Sequence, residues 1–297
     1  PALGLDPTIR ASGLVNIVLA VAFLQAGRKV RAAPAPLPSA TTDGATASDG
    51  HVFTPLQRRV VLIVIGLSGA VSMLYEVVWS RLLALVMGSS TYSFTIMVMT
   101  FIGGITLGSL AVSRRFGPKG RGGHPVTWLA WCEIGVFATV LPVVPLYDKL
   151  GYSFTTLASF LERTPEAFPM YLTIKVVVAY ALMFMPTFFI GMTLPLASRV
   201  VVDDMKVLGR RIGSVFSINT LGTVIGAIAT GLWILPWLGL HDTLLLGIVG
   251  SGILGVIALL IAPVSVRIRG AVPAIMAAGL AVMLVTIPLA HGISPRS

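Results

Sequence analysis

Charge is what this sequence has least of. Charged residues fill 11% of its 297 positions, against about 25% in ordinary soluble domains. Hydrophobic residues make up 56%, and the mean hydropathy is +0.93. That balance excludes a soluble globule and indicates an all-α integral membrane protein. Negative charge is the scarcer sign, with 11 acidic residues against 21 basic ones and a net charge of +10. In a soluble domain such basicity would suggest nucleic acid. Here the cations cluster in short loops between apolar runs, the mark of a cytoplasmic membrane face, so the partner is a lipid bilayer and nucleic acid is excluded. Cysteine is nearly missing: Cys132 stands alone in an apolar run, so no internal disulfide can form, and it reads as a small buried hydrophobe. Pro1 to Pro7 lack a basic start, so no cleavable signal peptide is read there. No metal-ligand set, cofactor motif or catalytic motif is read anywhere in the chain.

What the sequence does contain is a succession of apolar runs of the roughly 20 residues that a membrane crossing needs. They fall at about 8 to 27, 58 to 87, 91 to 113, 125 to 147, 169 to 200, 211 to 235, 242 to 262 and 270 to 290, eight helices in all. Residues 28–55, dominated by Ala, Pro, Ser, Thr, Gly and Asp, read as a flexible cytoplasmic linker. Arg58 and Arg59, Arg114 and Arg115 with Lys119 and Arg121, Arg199 with Lys206, Arg210 and Arg211, and Arg267 with Arg269 occupy alternate loops. These loops are expected on the cytoplasmic side, which puts both ends of this chain outside. Residues 148–168 read as an outer-surface amphipathic helix, or equally as a simple lid. Pro186, Gly191 and Pro195 predict a break in one span, tolerable only where protein or water satisfies the freed backbone.

The candidate chemistry centres on the run from Leu67 to Arg115. Glu76 has Ser68, Ser72 and Ser80 at multiples of four, so one helix face presents them in line toward the bundle interior. An intramembrane carboxylate suits a cationic substrate or a proton relay. The competing structural reading pairs Glu76 with a neighbouring cation and makes Tyr75 and Trp79 interfacial anchors. Arg81 points away from Glu76 in a straight helix and reads as an interfacial, snorkelling charge, as does Lys175. Glu133 could be the second carboxylate of a cation site or an interface-level residue with a cationic neighbour. Asn219, on the helix of Gly213, Ser217, Gly222 and Gly226, could bond a substrate or another helix. The candidate substrate-binding set is therefore Glu76, Ser72, Glu133 and Asn219. Thr100, Gly104 and Gly108 read as a packing seam.

Residues 1 to 24 align with 236 to 259, with Pro1, Leu3, Gly4, Leu5 and Thr8 matching Pro236, Leu238, Gly239, Leu240 and Thr243. Such an internal repeat makes the first helix the end of a preceding unit and helices two to seven one complete six-helix unit. Two parallel units of that kind are the architecture of the major facilitator superfamily. The domains expected are 1–27 as that terminal helix, 28–55 as linker, 56–262 as the six-helix unit and 263–297 as an extra C-terminal helix and tail.

The stretches SGAVSMLYEVVWSRLLALVMGSSTYSF, FIGGITLGSLAVSRR, MPTFFIGMTLPLASR, GRRIGSVFSINTLGTVIGAIATG and LPWLGLHDT together resemble the membrane region of bacterial fused transporter and spermidine-synthase proteins. The resemblance covers most of residues 56 to 262. It implies a major-facilitator-like unit in the bacterial cytoplasmic membrane, associated with a soluble synthase-like domain or with other membrane subunits. By that resemblance the chain binds or moves a small cationic, polyamine-like metabolite, or anchors the soluble domain. Ser113 stands where major facilitators usually carry an acidic residue. Aminopropyl transfer would need a domain not present in these residues. The alternative is an accessory subunit of a larger membrane complex that transports nothing.

Overall fold

The computed structural model describes residues 52–87, 91–117, 122–146, 168–202 and 208–290, preceded by five isolated helical positions, Leu14, Ile17, Val18, Val21 and Gln25. The chain divides into two units, 1–47 and 48–297, and the account below concerns the second. The span expected at 8 to 27, apart from those five positions, lies outside the described residues. So do most of the linker, the Gly88 to Ser90 turn, the segment 148–167, the cations Lys119, Arg121 and Lys206, and the side chain of Lys175.

The described residues of the second unit form α1 (Pro55–Met87), α2 (Thr91–Arg115), α3 (Pro125–Val140), α4 (Phe168–Val201), α5 (Leu208–Ala229), α6 (Leu235–Ile261) and α7 (Val266–Ala290), with no strand among them. Six segments are long and apolar enough to cross a membrane, and one of these, Leu208–Ile261, contains both α5 and α6. Its 54 residues would measure about 80 Å as one straight helix, far beyond a hydrocarbon core of about 30 Å. It reverses at Gly239, whose φ of +73° is left-handed and favours glycine. The Thr243 hydroxyl caps the Gly239 carbonyl just past the turn. A π-helical turn, Thr230–Ile234, precedes it.

Contacts along the helices give their relative directions. Gly222 abuts Gly66 and, four residues further along both helices, Gly226 abuts Ala70, so α5 runs parallel to α1. Gln57 Nε2 donates to the Ile261 carbonyl at 3.0 Å, while Tyr75 reaches Ser251 at 3.1 Å, so α6 runs antiparallel to α1. Gly255 meets Ile134 and Gly252 meets Phe137, which makes α3 antiparallel to α6. Gly135 meets Phe189 and Cys132 lies 3.9 Å from the Met192 sulfur, which makes α4 antiparallel to α3. Gly104 meets Thr187 and Gly108 meets Gly191, so α2 and α4 are parallel. From α1 to α6 the helices therefore alternate in direction, as successive membrane crossings must.

Local chemistry sets the starts and breaks. Thr54 and Gln57 form a reciprocal capping box, 3.0 and 3.2 Å, with Pro55 in the first turn of α1. The break predicted in α4 does not occur: the helix runs through Pro186 and Pro195. Pro195 has no N–H to give the Gly191 carbonyl, and the Ser109 hydroxyl of α2 donates to that carbonyl instead, at 2.8 Å. A second correction concerns Tyr75 and Trp79. Both are about 1% exposed and sit in the core rather than at an interface. α7 is the least embedded helix, touching α6 near Gly252 through Met276 and the end of α3 near Gly279 through Leu141.

Replacing Ser109 with Ala should leave the Gly191 carbonyl unpaired and cost about 1 kcal/mol. Melting of the purified chain in detergent should show the loss. Pro195→Ala restores the missing N–H, so the double variant should melt closer to the parent than the Ser109→Ala variant does.

Candidate functional site

A cavity of about 190 Å³ lies among α1, α2, α4 and α5. α1 contributes Ser68, Gly69, Ser72, Met73 and Glu76, residues that share one helical face. Its lining comes from the interiors of the four helices rather than their ends. Close packing at glycine positions makes this arrangement possible. A Cβ on Gly222 would strike the Gly66 carbonyl, and one on Gly69 would lie 2.8 Å from the Asn219 Oδ1. The bare Gly69 surface is what lets the Asn219 amide lie against α1 at the cavity wall. Across the cavity, Gly108 and Gly191 hold α2 to α4 in the same way.

The wall has one charge. Glu76 is half-buried, and no ion pair to its carboxylate is found among the described residues. The hydroxyls around it have their hydrogens directed elsewhere. Ser72 donates to the Gly69 carbonyl at 2.8 Å, Ser109 to Gly191 at 2.8 Å, Thr193 to Ile190 at 2.7 Å and Thr223 to Thr220 at 2.7 Å. Ser68 bonds the Glu133 carboxyl. Each of these oxygens therefore has only lone pairs left for an occupant. With the Phe101 ring and the Asn219 amide, which carries an acceptor oxygen and two N–H donors, the wall offers mostly acceptors, a π face and one anion. That set suits a cation rich in N–H donors.

Three of the four residues singled out in the sequence, Glu76, Ser72 and Asn219, line this one cavity. Glu133 does not. It is 2% exposed and lies behind the wall, so it is neither at the interface nor beside a cation, as one sequence reading held. Arg81 is exposed and does not pair with Glu76. Ser80, in line with Glu76 along the sequence, bonds the Val77 carbonyl and is not on the lining. Sequence reasoning missed Ser109, Thr193 and Thr223. The spacing of four between Asn219 and Thr223 was a usable signal for the last; the other two carried none. Among the described residues no cluster of three or more His, Cys, Asp or Glu could hold a metal. No family model matches the sequence, and no curated protein or solved structure matches it.

The cavity should be reachable by water. A cysteine placed at Asn219 should react with a charged, water-soluble thiol reagent, while native Cys132, buried beside Met192, should stay unlabelled until the chain is denatured. Mass spectrometry of the labelled chain reads both. Equal silence at the two positions would mean that the cavity is sealed.

Proposed function

We propose that this chain is a membrane domain that binds a small organic cation in the cavity headed by Glu76, and that it is built to move that cation across the bilayer. The observation that carries the reading is the direction of the hydroxyls. All five around the cavity point their hydrogens away from it, into backbone carbonyls or toward Glu133, so each hydroxyl oxygen offers the cavity only lone pairs. A lone carboxylate among acceptors repels anions and holds ammonium groups. The cavity's size, about 190 Å³, fits a short amine and falls below the roughly 300 Å³ at which drug-sized pockets begin.

The finer identity follows the sequence resemblance. On that basis the domain is a major-facilitator-like six-helix unit of a spermidine-synthase-like fusion protein in the bacterial cytoplasmic membrane, with its arginine-rich loops inside. The cation is a polyamine or a close relative. A second reading, a membrane subunit that docks on others, draws on the outer face of α5. There Gly209 and Gly213 have open space where a Cβ would stand, and Ser217 and Thr220 are exposed. Small residues on a free helix face favour helix association in lipid.

Equilibrium binding of labelled putrescine to the chain in lipid nanodiscs tests the first reading. Glu76→Gln should weaken binding by at least about 20-fold, the scale for removing one partner of a buried charge pair, and Glu76→Asp should recover part of it. Unchanged affinity in Glu76→Gln would leave the docking role as the surviving reading.

A further inference from the structure

The cations of this chain gather at one end of the bundle. Because the helices alternate in direction, the start of α1, the end of α2, the start of α3 and the end of α4 share that end, and of the described arginines all but Arg81 stand there. The acidic side chains among the described residues, Glu76, Glu133 and Asp242, stand inside the bundle or at its opposite end. Two of the arginines, both half-buried, rest on aromatic rings. The Arg115 guanidinium carbon lies 5.2 Å from the centre of the Trp128 ring, and that of Arg199 lies 5.2 Å from the centre of the Phe116 ring. The two rings meet edge to face, 6.4 Å apart with their planes at 84°. No ion pair to either guanidinium is found among the described residues.

The core fixes the rings. Phe116 is buried in the cluster of Val112, Leu196 and Val200, and Trp128 packs against the same cluster. The Gly122 N–H donates to the Arg115 carbonyl at 3.1 Å, and Gly123, at a φ of +129°, passes so close that a Cβ would stand 2.9 Å from the Trp128 Nε1. Depth is fixed as well. The register that sets Gly104 against Thr187 and Gly108 against Gly191 brings Phe116 level with Arg199 about two turns further on. Both guanidiniums therefore stand at one level, where the apolar spans of α2 and α4 end and lipid headgroups begin. A guanidinium laid on a ring keeps its outer N–H edge free, and that fork matches a phosphate. The Arg115 Nε is already buried without a partner, so the outer nitrogens are the ones left to bind. We propose that Arg115 and Arg199, held on Trp128 and Phe116, form a binding site for the phosphate of an anionic phospholipid headgroup. A zwitterionic headgroup brings a positive charge of its own, which the surrounding arginines repel.

Native mass spectrometry of the whole chain, offered dioleoylphosphatidylglycerol and dioleoylphosphatidylcholine at equal concentration in detergent, tests the site. The parent should bind its first phosphatidylglycerol about tenfold more tightly than its first phosphatidylcholine, the scale for a few cations acting on an anionic headgroup. Arg115→Gln combined with Arg199→Gln should abolish most of that preference. Arg59→Gln combined with Arg267→Gln removes the same charge from exposed positions at the same end and should keep the preference close to the parent's. Arg115→Lys combined with Arg199→Lys guards against misfolding of the first variant. It retains the charge but offers no fork, so it should hold roughly a third of the preference or less. A parent without preference overturns the proposal. So does an equal loss in the Arg59 and Arg267 variant, which would mean that the general positive field of this end attracts the lipid. An undiminished preference in the lysine variant overturns the fork geometry. Inorganic phosphate at the same concentration should leave the bound phosphatidylglycerol in place, and its displacement would overturn the lipid assignment in favour of a soluble phosphate.

Discussion

The bundle depends on two helix backbones touching, α1 and α5 at Gly66 and Gly222. In lipid there is no hydrophobic force to draw helices together, so association rests on close packing and on what that closeness allows. Here it allows Asn219 and Thr223 to stand beside Ser68 and Ser72 across a narrow gap. A methyl group at Gly222 would push α5 away and take the amide with it. The glycines are therefore part of the site as well as of the fold.

Closeness also explains the polar bookkeeping of the interior. A carbonyl freed by proline has no water to turn to in a bilayer. At Gly191 the partner is a serine from another helix, and that serine's hydrogen is then lost to the cavity. Thr193 and Ser72 give their hydrogens to their own helices, as short hydroxyl side chains in helices often do. Backbone satisfaction and the lone pairs that the hydroxyls turn toward the cavity are one arrangement seen from two sides. The two carboxyls differ for the same reason: Glu76 opens on the cavity, while Glu133 is sealed behind a single hydroxyl.

The helices were legible because a membrane segment needs length and apolarity, and both are written locally. The glycine spacing at Gly104 and Gly108 was legible as a seam for the same reason. The face carrying Ser68, Ser72 and Glu76 followed from helical geometry alone. What escaped involves two helices at once. Nothing along the chain says that Ser109 will stand opposite Gly191, or that Ser68 will find Glu133. Nor does Tyr75 reveal that Ser251 awaits its hydroxyl, which is why it read as an interfacial anchor and proved to be core. The expected break in α4 failed on the same ground, since a proline's effect depends on who answers the carbonyl it strands.

The tightest backbone approaches at glycine fall within two couples of parallel helices, α1 with α5 and α2 with α4, while looser glycine contacts tie α6 to α1 and α3, and α3 to α4. Each couple is thus a stiff plank, and the cavity is the space between planks. Tilting one plank against the other would widen that space at one end and narrow it at the other while every backbone contact inside each plank stays closed. Such a tilt would have to be taken up at α6 and α3, whose Gly247 and Gly135 pack against Tyr75 of α1 and Phe189 of α4.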